Sequence, residues 1–479
     1  MSKIRDEIAK FISTLEKEHS LFSYICNDKK GGFDPGKDTV YYSGPYWDQE
    51  EKIVLLEAVL TGKWLSAGES VHRFENQFSE MFGLKYSVMV NSGSSANLIM
   101  ITALKKYLEW EDGDEIILSP VGFPTTLAPV IQNGLVPIFV DISMHDLNFN
   151  VEKIEEKLTS RSKAILISPV LGNPPDMDRL VDIAERYGIK LVLDNCDSMG
   201  SRWNGRYLTD YSIASSCSFY PAHHITTGQG GMVSSNIKEL IDLARSFSSW
   251  GGDCRCVGAA NLLANGSCKK RFSKWIEKYD GVIDHRYFFT NIGYNFKPLD
   301  LQGAVGVAQL RKFEEIHSKR RQNKERIQAA FEKYIGGVRV LDEHELAETS
   351  WFGVGIVCER KELKEELVLH LERNRIQTRN YFAGNLLMHP AYEKFGNSDD
   401  YPHANTVLDT MFFVGCSPTI TSEMIGYMED VICGFRVGQR EPVTRQHQML
   451  AFECHSGRRG KDRETGEIET IHNIDGTIE

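Results

Sequence analysis

The chain has 479 residues, a formal net charge of −11, 41% hydrophobic residues and 25% charged residues. That length suits two domains, or one large domain with a smaller companion. The acidic balance excludes a general nucleic-acid surface, which needs a basic face, while leaving room for a local basic pocket.

The opening residues, Met1-Ser2-Lys3-Ile4-Arg5-Asp6-Glu7-Ile8, are charged and amphipathic, and no uninterrupted apolar region follows. No secretory signal is expected from them. No run of about 18 apolar residues predicts a membrane span. The ten cysteines are scattered along a long chain, unlike a small secreted framework, and point to a reducing cytoplasm.

Residues 1–50 read as an N-terminal arm. Ile53, Leu56, Val59 and Leu60 recur at helical spacing and predict a helix over 51–62. After Asn91-Ser92-Gly93-Ser94-Ser95, the stretch Ala96 to Leu104 predicts a second helix, capped by a serine. Ile116-Ile117-Leu118, Val136 to Val140, Ala164 to Ile167 and Leu191-Val192-Leu193 read as buried strands. A helix over Met177 to Tyr187, stopped at Gly188, lies between the last two. This alternation predicts an α/β domain over 51–300, with a largely parallel sheet covered on both faces.

Around 250–280 the texture becomes rich in Gly, Asn, Cys and Lys, which predicts an irregular insertion. A long helical pattern runs from Leu301 towards Tyr334, with Ala304, Val307, Leu310 and Phe313 on one stripe. Short strands and two helices, Lys361 to Asn374 and Glu423 to Gly434, follow. Residues 301–437 therefore read as a connecting helix and a smaller α+β domain, and 438–479 as a mobile polar tail.

Several segments fall where a site would lie on such a sheet. The loop 91–96 precedes a helix, so it is either a plain N-cap or a phosphate site at the positive end of the helix dipole. Asp194 closes a strand and is either solvated or a partner for a cationic ring nitrogen. Phe123, in Val121-Gly122-Phe123-Pro124, is either core or a ring-stacking side chain.

In this order, the chain resembles the sugar aminotransferases of the DegT/DnrJ/EryC1/StrS family over nearly everything up to about residue 435. Gly62-Lys63-Trp64-Leu65-Ser66-Ala67-Gly68 with Phe74-Glu75 is similar to the family's N-terminal signature. Pro137 to Ile142 resembles its next strand. Gly293-Tyr294-Asn295-Phe296-Lys297 with Gln302-Gly303-Ala304 resembles the segment whose asparagine reaches a cofactor phosphate across a subunit boundary. The resemblance implies the aspartate-aminotransferase fold (PLP fold type I), a pyridoxal-type cofactor and a homodimer with sites at its interface. It further implies that Asp194 meets the pyridine nitrogen and Phe123 the ring. Gly93, Ser94, Ser218 and, in trans, Asn295 would hold the phosphate.

One position breaks the pattern. Ser218-Phe219-Tyr220-Pro221-Ala222-His223-His224-Ile225-Thr226-Thr227-Gly228 matches the family's cofactor-lysine segment, with His223 in the lysine position. A lysine amine links covalently to pyridoxal phosphate, and an imidazole cannot. Asp197 and Tyr220 also depart from the usual residues. The set resembles the family's 3-dehydrase branch, in which pyridoxamine phosphate (PMP) is bound without a covalent link and a histidine is the base. His224 is the adjacent rival, but the register of Ile225 to Gly228 favours 223.

That branch also has members with a [2Fe–2S] cluster on a Cys-x57-Cys-x-Cys-x7-Cys pattern. Here 57 residues separate Cys196 from Cys254, one separates Cys254 from Cys256, and 11 separate Cys256 from Cys268. The resemblance implies these four cysteines as cluster ligands, with zinc as the alternative metal.

The expectation is a PMP- and [2Fe–2S]-dependent dehydration at C3 of a nucleotide-linked 4-keto-6-deoxyhexose, of the kind used for 3,6-dideoxysugars of lipopolysaccharide O-antigens. A separate NADH-dependent iron–sulfur reductase would be its partner. The alternatives are a cluster-free colitose-type 3-dehydratase that recovers its amine from glutamate, an ordinary aminotransferase, and an inert regulator with this fold. The nucleotide stays open among CDP, dTDP, UDP and GDP.

Overall fold

A computed structural model of the chain describes residues 3–18, 32–62, 64–254, 272 and 274–438. Contacts gather residues 1–435 into one unit. Of the second unit, 436–479, only 436–438 are described, so nearly all of the expected tail lies outside the described residues.

Seven strands build the central sheet. They are β1 (Tyr86–Val90), β2 (Glu115–Leu118), β3 (Val136–Phe139), β4 (Ser162–Ile167), β5 (Lys190–Asp194), β6 (Ala214–Ser218) and β7 (Gly231–Ser235). Their order is β1-β7-β6-β5-β4-β2-β3. Neighbours from β3 through to β6 run parallel, and β7 runs antiparallel to both β6 and β1.

Helices cover both faces. In chain order they are α1 (Lys3–Glu18), α2 (Gln49–Thr61), α3 (Glu69–Met81), α4 (Gly93–Tyr107), α5 (Pro124–Gln132), α6 (Met177–Tyr187) and α7 (Lys238–Ser248). Then come α8 (Asp300–Leu310), α9 (Phe313–Tyr334), α10 (Lys361–Arg373), α11 (Pro402–Thr410) and α12 (Ser422–Gly434).

Alternation along the strands divides the core. Ile116, Leu118 and Leu166 pack into one cluster with Ile99, Met100 and Leu104 of α4. Ile117, Ile165 and Ile167 point the other way, onto Met177, Leu180 and Ile183 of α6. A strand buried on both faces has no polar side to show, which is why these segments are continuous apolar runs. α6 is bounded as its sequence predicts. The Asp176 carboxylate accepts from the N–H of Arg179 at 3.0 Å, and Gly188 takes the left-handed φ of 67° that ends the helix.

A second, four-stranded sheet holds β8 (Val338–Val340), β9 (Gly353–Cys358), β10 (Thr378–Asn380) and β11 (Met411–Gly415) in the order β8-β9-β11-β10, all antiparallel. With α10 to α12 it forms the smaller α+β domain. The architecture is thus the expected large sheet domain with a smaller C-terminal companion.

The long helical pattern from 301 resolves into two helices, α8 and α9, broken at Arg311 and Lys312. No Gly or Pro marks the break. Lys312 Nζ instead reaches Asp48 at 2.8 Å and the buried Glu51 at 2.7 Å, so tertiary ion pairs override a continuous helical propensity. Of the insertion expected at 250–280, residues 255–271 and 273 lie outside the described residues. No helix of the described residues is long and apolar enough to cross a membrane.

Candidate active site

The C-terminal ends of β4, β5 and β6 and the N-terminus of α4 open on one cleft of about 740 Å³. This is where parallel α/β sheets present their loops to a ligand. Gly93, Ser94, Phe123, Asp194, Cys196, Asp197, Ser218, Tyr220 and His223 all line it, joined by Tyr42, Asn97, Thr126, Phe352 and Arg379.

At one end lies the start of α4. Ser92 is its N-cap, accepting from the N–H of Ser95 at 3.1 Å. The N–H groups of Gly93 and Ser94 find no partner among the described residues and remain for an outside acceptor. Gly93 is required by close approach, because a Cβ there would lie 2.5 Å from the Cβ of Ser218. Unpaired amides, serine hydroxyls and a helix N-terminus together fit a phosphate.

On the floor lies Asp194, 5% exposed. Its Oδ2 accepts from Asn97 Nδ2 at 2.8 Å and Thr126 Oγ1 at 2.7 Å, and its Oδ1 from the N–H of Cys196 at 3.2 Å. Asn97 is itself held by the hydroxyl of Ser216. These donors offset the burial of a carboxylate and fix its direction. Phe123 is half exposed at the start of α5, its ring edge-on to Phe382 at 5.8 Å.

The wall is built differently. His223 Nδ1 lies 3.4 Å from Asp197 Oδ1, within ion-pair range but off the hydrogen-bond direction, so this buried nitrogen has no hydrogen-bond partner among the described residues. Burial, and then the charge of Asp194, push the Asp197 carboxyl up to about 8. Burial, and then the charge of Arg320, push the His223 imidazole down to about 3, against a smaller opposing pull from the main chain at Cys196. Both groups are therefore neutral near pH 7. The ring of His223 lies 5.3 Å from Phe352 and 6.3 Å from Tyr220, which is half exposed over the cleft. His224 points away, its Nε2 lying 2.8 Å from the carbonyl of Ser350.

A loop before α2 closes the near side. Val40 bridges to Ile376 at the edge of the smaller domain, and Ser43 Oγ donates to the carbonyl of Ala222 at 2.8 Å. Tyr42 faces the cleft, with the guanidinium of Arg379 4.3 Å from its ring centre.

One expectation lies beyond a single chain, and one parts from this geometry. Asn295 does not line the cleft of its own chain. It is exposed, and its segment bridges to Ser249. The cysteine set does not assemble among the described residues. Cys196 lines the cleft and Cys254 lies on a separate loop, whereas Cys256 and Cys268 fall outside the described residues. Among the described residues, no group of three or more His, Cys, Asp or Glu side chains is placed to hold a metal ion. Burial, and then the charge of Asp194, push the Cys196 thiol well above its ordinary range, so in the metal-free chain it keeps its proton.

Asn97, Thr126, Tyr42, Phe352 and Arg320 escaped the sequence reading. Asn97 had a faint signal, an amide one turn inside a helix that opens on a serine loop. Arg320 had none, since Lys319-Arg320-Arg321 reads as a solvated run.

Comparison with known proteins decides the family. The DegT/DnrJ/EryC1/StrS aminotransferase family profile matches residues 47–432. The chain belongs to this family. It is 37% identical over 425 residues to the dTDP-4-dehydro-2,6-dideoxy-D-glucose 3-dehydratase of Saccharopolyspora spinosa, covering 87% of this chain and 90% of that protein. Among solved structures it is similar to the E. coli GDP-4-keto-6-deoxy-D-mannose-3-dehydratase with bound hydrated PLP, at a TM-score of 0.71 and 30% identity, over 82% of this chain and 99% of that one. It is equally similar to a GDP-4-keto-6-deoxymannose-3-dehydratase with a trapped PLP-glutamate geminal diamine, at a TM-score of 0.71 and 30% identity, over 82% and 100%.

The likeness to these two solved 3-dehydratases, with no group placed to hold a metal ion among the described residues, corrects the main functional expectation. The cluster-dependent dehydration, with Cys196, Cys254, Cys256 and Cys268 as ligands and a reductase as electron source, gives way to the cluster-free reading held as its alternative.

Proposed function

We propose that the chain is a cluster-free, PLP/PMP-dependent nucleotide-sugar 3-dehydratase, acting on a nucleotide-linked 4-keto-6-deoxyhexose and recovering its amine from glutamate. The observation that carries this reading is His223, a neutral imidazole in the lysine position, facing a cleft whose end is shaped for a phosphate. PMP supplies an amine that condenses with the sugar ketone and a ring that accepts electrons. This chain's residues supply the rest.

Gly93, Ser94 and Ser218 bind the phosphate, Asp194 pairs with the ring nitrogen and Phe123 covers the ring. His223 accepts a proton at its imidazole. The carboxyl of Asp197, 3.4 Å from Nδ1, faces the imidazolium that results, and the proton it sheds in response to that charge passes to water in the cleft. Tyr220 shields this pair at the cleft mouth. No lysine competes for the aldehyde form, so the amine form persists as the working cofactor.

Asn295 is exposed and away from its own cleft, which supports a homodimer in which it reaches the phosphate held by the other subunit. The scattered cysteines support a cytoplasmic setting. In domain terms the reading assigns cofactor binding to 51–300 and substrate closure to 301–437.

The test is an incubation of PMP-loaded protein, stripped of iron, with a panel of CDP-, dTDP-, UDP- and GDP-linked 4-keto-6-deoxyhexoses and glutamate. The expected products are a 3-deoxy sugar and 2-oxoglutarate. An amino sugar as product, or cofactor fixed to the chain by borohydride, overturns the proposal.

A further inference from the structure

Arg320, on α9, is 1% exposed. Its Nη1 donates to the carbonyls of Trp351 at 3.2 Å and Phe352 at 3.1 Å. Its Nη2 donates to the carbonyls of Ala222 at 3.3 Å and His223 at 3.1 Å. All four acceptors are neutral main-chain oxygens, and among the described residues no carboxylate lies within ion-pair distance of the guanidinium.

A buried cation without a counter-ion is costly, and an apolar side chain of similar volume packs there at lower cost. The fork of the guanidinium does what no apolar residue can, spanning two chain segments in one plane. One segment carries His223 and the other carries Phe352, whose ring lies 5.3 Å from the His223 imidazole. The same group thus fixes the base through its own peptide and through the side chain packed against it.

We infer that Arg320 is a positioning residue for the dehydration, its guanidinium clamping carbonyls 222, 223, 351 and 352 so that the His223 imidazole is held against Phe352 in the cleft. The inference rests on the reading of His223 as the base. The clamp also sets charge. The groups facing His223 are Asp197 and the main chain of Cys196 from the loop after β5, Tyr220 and His224 from its own loop, and Arg320 from α9. Of these, Arg320 is the permanent cation, and it opposes protonation of the ring.

The experiment compares wild type, R320K and R320M, each checked for fold by circular dichroism. PMP affinity is titrated by absorbance, kcat and KM are measured, and the His223 ring is followed by NMR of histidine-labelled protein, its signal assigned with H223N. Lysine keeps the charge but offers one donor centre for four separated carbonyls. R320K should lose about 100-fold in kcat, the scale of a small misplacement of a catalytic group, while PMP affinity and KM stay within about threefold. Its His223 titration should stay where the wild type has it. R320M should lose as much rate, and its His223 should protonate at a higher pH.

Wild-type kcat in both variants overturns the clamp, as does a loss of rate that tracks lost PMP binding. If R320M fails to fold, R320K alone decides between these outcomes. If wild type forms no 3-deoxy sugar, the proposed function fails, while the NMR comparison still judges the clamp.

Discussion

The floor and the wall of the cleft handle buried charge in opposite ways. Asp194 on the floor is surrounded by donors, with Asn97, Thr126 and the main chain of Cys196 all directed at its two oxygens. Asp197, three residues on, accepts no hydrogen bond among the described residues and keeps its proton, beside an imidazole that gives its own up. A carboxylate ringed by donors is held in one direction, whereas a pair left short of them is poised to change protonation. In the proposed function, rigidity would belong to the cofactor's ring and phosphate, and readiness to change protonation to the base.

The largest effect expected is at the wall. His223→Asn should lower kcat about 10³-fold, the usual worth of a general base, with PMP binding retained. A product assay with a parallel absorbance titration checks both. His223→Lys should restore a covalent hold, read as cofactor that borohydride fixes to the chain. If H223N keeps its rate, the base lies elsewhere and the contrast between floor and wall collapses.

Next in size is the floor. Asp194→Ala strands the hydroxyl of Thr126 and one N–H of the Asn97 amide, whose other N–H keeps the carbonyl of Thr125, at about 1–3 kcal/mol for each donor left unpaired. Urea unfolding of the cofactor-free protein should show that loss. Asp197→Asn, which replaces a group already neutral, should cost less than about 1 kcal/mol near pH 6. Equal losses at the two sites would erase the distinction.

The pH dependence of stability separates them further. With its carboxyl raised from 3.8 to about 8, Asp197 keeps a proton in the fold that the unfolded chain has released, so its contribution is lost as pH rises through that window. His223, lowered from 6.5 to about 3, and His224, also lowered by burial, act in the reverse sense and lose stability as pH falls below 6.5. The cofactor-free protein should therefore gain stability up to about pH 6.5 and lose it from there to about 8, by at most about 1.4 kcal/mol per pH unit. Chemical unfolding across that range tests the dome, and D197N should flatten its alkaline side.

The smallest effect is Ser92→Ala, which removes the cap on α4 for about 1 kcal/mol of stability and loosens the phosphate end of the floor. Thermal unfolding with and without PMP measures both.

The floor was far more legible in the sequence than the wall. Buried parallel strands leave unbroken apolar runs, so β2 to β5 stood out and carried Asp194 to its strand end. β6, Ala-Ser-Ser-Cys-Ser, and β7, Gly-Met-Val-Ser-Ser, did not, because small hydroxyl side chains pack tightly there without an apolar signature. His223 was found by register, while the neutrality of its partner Asp197 depends on the low polarity of surroundings assembled from distant segments. The break between α8 and α9, set by Lys312 on Asp48 and Glu51, had no local mark for the same reason. The cysteine spacing misled because gaps along a chain do not by themselves say which side chains meet, and the last gap, 11 residues, already departed from the pattern.

The strand-like stretch around Val40, with its bridge to Ile376 and the Ser43 hydroxyl on Ala222, sets a boundary for anyone re-engineering the ends of this protein. Tags, fusions or trimming that stop short of Asp38 leave the Val40 bridge and the Ser43 contact in place. A cut only about ten residues further on removes Tyr42 and Ser43 and unpicks the loop that carries His223 from a point remote in sequence. Earlier residues are also tied in, with Arg5 of α1 paired to Glu50 and Glu57 of α2 and Phe33 in the main core, so a truncation series should start from α1 and should show its sharpest loss once Tyr42 and Ser43 are gone.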